Sequence, residues 1–179
     1  MWNSARILNS FGMVRSGPFK GVKIIKGKDY DDPNGNLKRC WEETKTDLFA
    51  IKKILNKAAC QPRERTLMLL NESTRAGVIA LIWQVCKKML PTTMGKTSYG
   101  LVGASKILFS VFPEIVLPVD NAEWRQVFQT VDLGDVINVM VDEINDWENV
   151  TGRQLEKCDS GIPQLTLPGV FNVMAMNAR

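Results

Sequence analysis

The strongest constraint on the fold is a stripe that begins at Leu37. Leu37, Trp41, Thr44, Leu48, Ile51, Leu55 and Ala58 recur at alternating spacings of four and three, while Lys38, Glu42, Lys45, Lys52 and Lys53 lie mostly off that line. Such spacing gathers the apolar set on one face of an α-helix; a strand, whose side chains alternate faces at every residue, would scatter it. About three heptads is short for a coiled coil, so the stripe predicts a bundle helix with partners in its own chain. The rest of the sequence supplies them. Gln61-Pro62 stops the first helix, and Arg63–Leu70 predicts a second, ending near Asn71. Ser73 is expected to cap a helix over Thr74–Leu90 that is apolar on most sides, ended by Pro91, with a loop over Pro91–Tyr99. Further helices are expected over Gly103–Phe112, Ala122–Val131, Leu133–Trp147 and Gly169–Ala178. The reading is an all-α fold: a compact, two-lobed helical domain of about seven helices.

Charge divides the chain differently. Arg6, Arg15, Lys20, Lys23, Lys26 and Lys28 fall in a segment without a single acid, so residues 1–28 carry +6 while the whole chain carries +4. The organisation expected is a basic N-terminal arm over residues 1–35, with Gly21–Lys28 either a short strand or an extended arm, and a helical domain over 36–179. Asp29–Asn36 (DYDDPNGN) is dense in turn formers and marks the boundary. A basic arm adds phosphate contacts to a nucleic-acid binder. Two blander readings compete: a solvated end, or an organelle-targeting peptide, since the segment is rich in serine and arginine. Met1–Gly12 lacks the apolar run of a secretory signal, and the apolar runs near Ala76–Val85 are too short to span a bilayer, so an intracellular protein is expected, with no membrane partner.

Several chemistries are excluded by residue type. The chain has no histidine, which removes His-dependent triads, general bases and metal ligands. Its cysteines, at 40, 60, 86 and 158, form no CxxC pair, so zinc ribbons, redox dithiols and disulfide scaffolds are not expected. Gly95-Lys96-Thr97-Ser98 looks like the end of a P-loop, but Leu90 stands where its first glycine belongs. Asp31-Asp32 reads as part of a turn. The acids Asp142, Glu143, Asp146 and Glu148 read as the solvated face of a helix. No metal and no cofactor are expected.

The segment Gly100–Phe128, GLVGASKILFSVFPEIVLPVDNAEWRQVF, is the most informative. It runs from a glycine turn through a helix and an apolar extended connection to an aspartate that opens a second helix. Asp120-Asn121-Ala122-Glu123 has the form of a capping box, with Asp120 as N-cap and Glu123 three residues on. Over residues 97–131 the chain resembles the helix-hairpin-helix DNA glycosylase superfamily. Its Leu117-Pro118-Val119-Asp120, with Trp124 four residues on, is nearest to the oxoguanine-glycosylase branch. The resemblance implies a double-stranded DNA partner and hydrolysis of an N-glycosidic bond, with Asp120 as the catalytic carboxylate. It also implies backbone phosphate contacts around Gly100, Gly103, Ala104 and Ser105, with charge from Lys96. Ser105 stands at the position of the nucleophilic lysine of bifunctional members and Lys106 one residue beyond. The resemblance therefore implies a monofunctional enzyme, unless the register shifts to make Lys106 the nucleophile. The alternative is a non-catalytic DNA- or protein-binding module in which Asp120 is only a cap.

Overall fold

In the computed structural model of the chain, the structure describes residues 2–15, 19–25, 29–57, 61–93, 100–158 and 166–177. The Leu37 stripe is a helix, α2 (Asn36–Leu55), and Leu37, Thr44, Leu48, Ile51 and Leu55 are all buried. Asp32 anchors its start from the preceding turn. One carboxylate oxygen accepts the Asn36 N–H at 3.1 Å and the other the Lys38 N–H at 3.0 Å; the expected turn spans Asp32–Gly35, closed by Gly35 N–H to Asp32 C=O at 2.9 Å, while Asp31 before it belongs to a short strand. Gly35 makes the entry at φ 62°, a left-handed conformation natural to glycine.

Seven α-helices stand among the described residues: α1 (Trp2–Ser10), α2, α3 (Pro62–Leu67, extended by a 3₁₀ turn, Met68–Leu70), α4 (Glu72–Thr93), α5 (Gly100–Val111), α6 (Leu133–Thr151) and α7 (Leu167–Asn177). The fold is all-α apart from one antiparallel ribbon, β1 (Lys23–Ile25) with β2 (Asp29–Asp31), in which Ile24 faces Tyr30. The strand reading of Gly21–Lys28 therefore holds at its centre. Helix α4 is the spine, packing along α2 and α5 and crossing α6, while α7 closes over α3 and α6. Ile51, Ile82, Val85, Leu108, Leu133, Ile137 and Met140 meet in a single core that excludes solvent. The connection from Ile115 to Val119 runs through this core, with Ile115, Val116, Leu117 and Val119 fully buried. That is why it is apolar without any helical period.

Several boundaries differ from the sequence reading. The N-terminal segment is no simple arm: it holds helix α1, and Leu8, Met13, Phe19 and Val22 are buried in the common core. Helix α4 is capped by Asn71, whose Oδ1 accepts the Thr74 N–H at 2.9 Å, and not by Ser73. It also runs past Pro91 to Thr93, although the proline gives up its own N–H bond and crowds the carbonyl four residues before it, and the helix ends two residues on. Helix α5 starts three residues before Gly103. The expected helix over Ala122–Val131 is cut short: after Asn121 and Ala122 it widens into a π-turn, Glu123–Val127, closed by Phe128 N–H to Glu123 C=O at 3.0 Å. Gln129 then leaves the helical region at φ 52°. Helix α6 continues four residues beyond Trp147, to a left-handed Gly152.

Candidate active site at the Asp120 helix opening

The capping box is fully formed. Asp120 Oδ1 accepts the N–H groups of Ala122 at 2.9 Å and Glu123 at 3.0 Å, and the Asp120 N–H donates to Glu123 Oε2 at 2.7 Å. Glu123 is only 1% exposed, whereas Asp120 is half-buried. An acid at the start of a helix faces the N–H ends of that helix, which favours its negative charge. The buried Val119 and the helical turn that follows thus hold one carboxylate at the surface and a second beneath it.

Helix α5 brings Ser105 to this corner. The Ser105 hydroxyl is buried, 3.0 Å from the Val102 carbonyl and 3.4 Å from that of Val119, the residue before Asp120. Lys106, one residue on, turns about 100° around the helix. Its Nζ lies 5.5 Å from the centre of the Phe11 ring, in the turn just after α1, beside the Phe11–Phe109 edge-to-face pair. The structure thus brings Ser105 and the Asp120 segment together and directs Lys106 to the α1 side. Gly103 and Ala104 are buried inside α5, with Gly100 at its first residue. A backbone phosphate contact would therefore have to come from the start of α5 and not from Gly103–Ser105, whose N–H groups lie within the helix. Lys96 lies outside the described residues, as does the rest of the expected hairpin before Gly100. Trp124 belongs to the π-turn, and the neighbouring Phe128 stacks on Phe171 of α7 at 6.4 Å.

Two polar clusters away from this corner are structural in kind. Arg63 bridges Glu148 at 2.5 Å and Glu156 at 2.6 Å, and Glu148 also accepts the Leu155 N–H at 2.8 Å. The Arg63 hydrogen bonds hold the Glu148 carboxyl below the usual carboxylate range and, against the cost of burial, raise the guanidinium above its own. Asp142 pairs with Arg75 at 2.7 Å. The acidic face of α6 is therefore partly tied down, a pairing across helices that sequence spacing does not reveal. No group of three or more potential metal-ligating side chains occurs among the described residues. Neither the groove beside α2 nor the one between α4 and α6 is lined by Asp120. Among the described residues no helix is long and apolar enough to cross a membrane. Comparison with protein-family models, with curated proteins and with solved structures finds no match to this chain.

Proposed function

We propose that this chain binds double-stranded DNA and hydrolyses the N-glycosidic bond of a damaged or mismatched base, with Asp120 as the working carboxylate. The observation that carries the reading is the pairing of the α5 segment at Ser105 with the helix opened by Asp120. There the Ser105 hydroxyl meets the carbonyl of Val119, the residue before Asp120, while the neighbouring lysine faces Phe11 instead. A carboxylate without an amine nucleophile suits hydrolysis: Asp120 steadies the positive charge that grows on the sugar as the C–N bond breaks. It also orients the water whose oxygen joins the sugar carbon, and the base departs with a proton. The basic segment at residues 1–28 would add sequence-independent phosphate contacts.

One observation favours the second reading, a non-catalytic DNA- or protein-binding module. The Asp120 carboxylate is already engaged by two helix N–H groups. The test is base release from duplexes holding uracil, oxoguanine, alkylated bases and mismatches, comparing wild type with Asp120→Asn and adding alkali to reveal abasic sites. Release lost in the variant supports the glycosylase; salt-sensitive duplex binding without release leaves the binding module; absence of both removes the DNA reading.

A further inference from the structure

A groove on the opposite end of α5 carries a second arrangement of groups that the Asp120 corner does not use. It has a volume of about 290 Å³ and lies between α2 and the end of α5, with Trp41, Phe49, Lys52, Arg65, Phe112 and Glu114 among its walls. That volume is near the lower end of the range for small-molecule sites, enough for one compact ring system. Trp41 and Phe49 form an edge-to-face pair at 5.9 Å, and Phe49 is 55% exposed, an unusual position for a large aromatic ring on a solvated helix face. Glu114 is nine-tenths buried. The Thr66 hydroxyl holds its backbone carbonyl at 2.6 Å, and Arg65 Nη1 donates to its Oε1 at 2.9 Å. Glu114 Oε2 receives no donor among the described residues, and neither does the buried Nε–H of Arg65 find an acceptor. That carboxylate oxygen is not sealed off, so it stands accessible as an acceptor in the groove wall, while the buried Arg65 Nε–H is the group whose missing partner is costly.

We propose that this groove binds a nucleotide. The flat base lies against Trp41 and Phe49, an exocyclic amine of its edge donates to Glu114 Oε2, and the phosphate meets Lys52 at the rim. The ionisable walls are Lys52, Arg65 and Glu114, a net charge of +1. That balance suits a ligand that is anionic overall yet presents a donor edge, as a nucleoside monophosphate does. Aromatic stacking of this kind tolerates any base, and the carboxylate selects those with an amine. Uracil has a single N3–H flanked by two carbonyls that would face the carboxylate, so it binds less well. A free mononucleotide and an unpaired nucleotide of a strand present the same chemistry. The site stands apart from the Asp120 reading and does not depend on it.

The test is a titration of the full chain with AMP, CMP, GMP, UMP, adenosine, tryptophan and a tetra-adenylate, followed by calorimetry and by chemical shifts. The amine-bearing monophosphates are expected to saturate, with UMP and adenosine each about tenfold weaker. Phe49→Ala should weaken AMP by about tenfold at unchanged melting temperature. Lys52→Ala should erase the advantage of AMP over adenosine. A tetra-adenylate that binds more tightly than AMP supports a strand as the source, and equal or weaker binding supports the free nucleotide. The proposal is overturned if no nucleotide saturates, if tryptophan binds as tightly as AMP, or if Phe49→Ala binds like wild type. Asp120→Asn should leave every titration unchanged, which separates failure here from failure of the glycosylase.

Discussion

Replacing Asp120 by alanine removes the acceptor of two helix N–H groups while leaving the return bond, Asp120 N–H to Glu123, in place. Loss of an aspartate cap to alanine typically costs about 1 kcal/mol, within a range of about 0.5–2 kcal/mol. For a chain of 179 residues that corresponds to a fall in melting temperature of about 2–4 °C. Asp120→Asn keeps an oxygen at Oδ1, and asparagine caps as well as aspartate, so its melting temperature should stay within about 1 °C of wild type. Glu123→Ala should be worse than either, because it empties a buried site and leaves the Asp120 N–H without its acceptor, at about 1–3 kcal/mol. Thermal melts followed by circular dichroism at 222 nm measure all three. The reasoning is refuted if Asp120→Ala melts with wild type, or if Asp120→Asn falls as far as Asp120→Ala. The series also calibrates the activity test, since loss of base release in Asp120→Asn counts as chemistry only where its fold is shown intact.

Three further outcomes follow from the packing. Gly134→Ala should lower the melting temperature by several degrees: the added Cβ would stand 2.8 Å from Ile79 Cγ2 and 2.9 Å from the Asp132 oxygen that caps α6, and overpacking of about 1–3 kcal/mol outweighs the gain of about 1 kcal/mol in helix propensity. Because the Glu148 carboxyl is held low by Arg63, its stabilisation is present above about pH 4.3, the unfolded value, and is lost as pH falls through the lowered value. Urea melts of wild type and Arg63→Met should accordingly differ by about 1–2 kcal/mol at pH 7, a figure reduced for partial exposure, and converge as pH falls through the lowered Glu148 value. Burial pushes the Cys40 thiol up to about 11 and the Cys86 thiol up to about 12, so neither should label with iodoacetamide at pH 8 in the folded chain. Peptide mapping after a short pulse checks this, with half-buried Cys158 as the internal comparison.

What the chain determines by itself is what depends on neighbours in sequence. The Leu37 stripe made α2 readable because helix period alone decides which residues share a face. The Asp32 turn and the Asp120–Glu123 cap were readable because donor and acceptor lie within six residues of one another. The apolar connection before Asp120 was readable as extended, though not the reason for it, which is passage through the core. Other features depend on distant partners and left no such mark. Helix α1 packs on α5, and Phe11 just after it meets Phe109, contacts between segments nearly a hundred residues apart; nine residues are too few for a helix to stand without such packing. The Arg63–Glu148–Glu156 bridge and the Arg65–Glu114 pair join charges that sequence spacing cannot bring together. The one local hint of the groove was an acid, Glu114, standing alone in an apolar run. Local backbone preference sets where helices begin and what face they bury; only the tertiary structure, by packing α2 and α5 on α4, decided which side chains came to share a site.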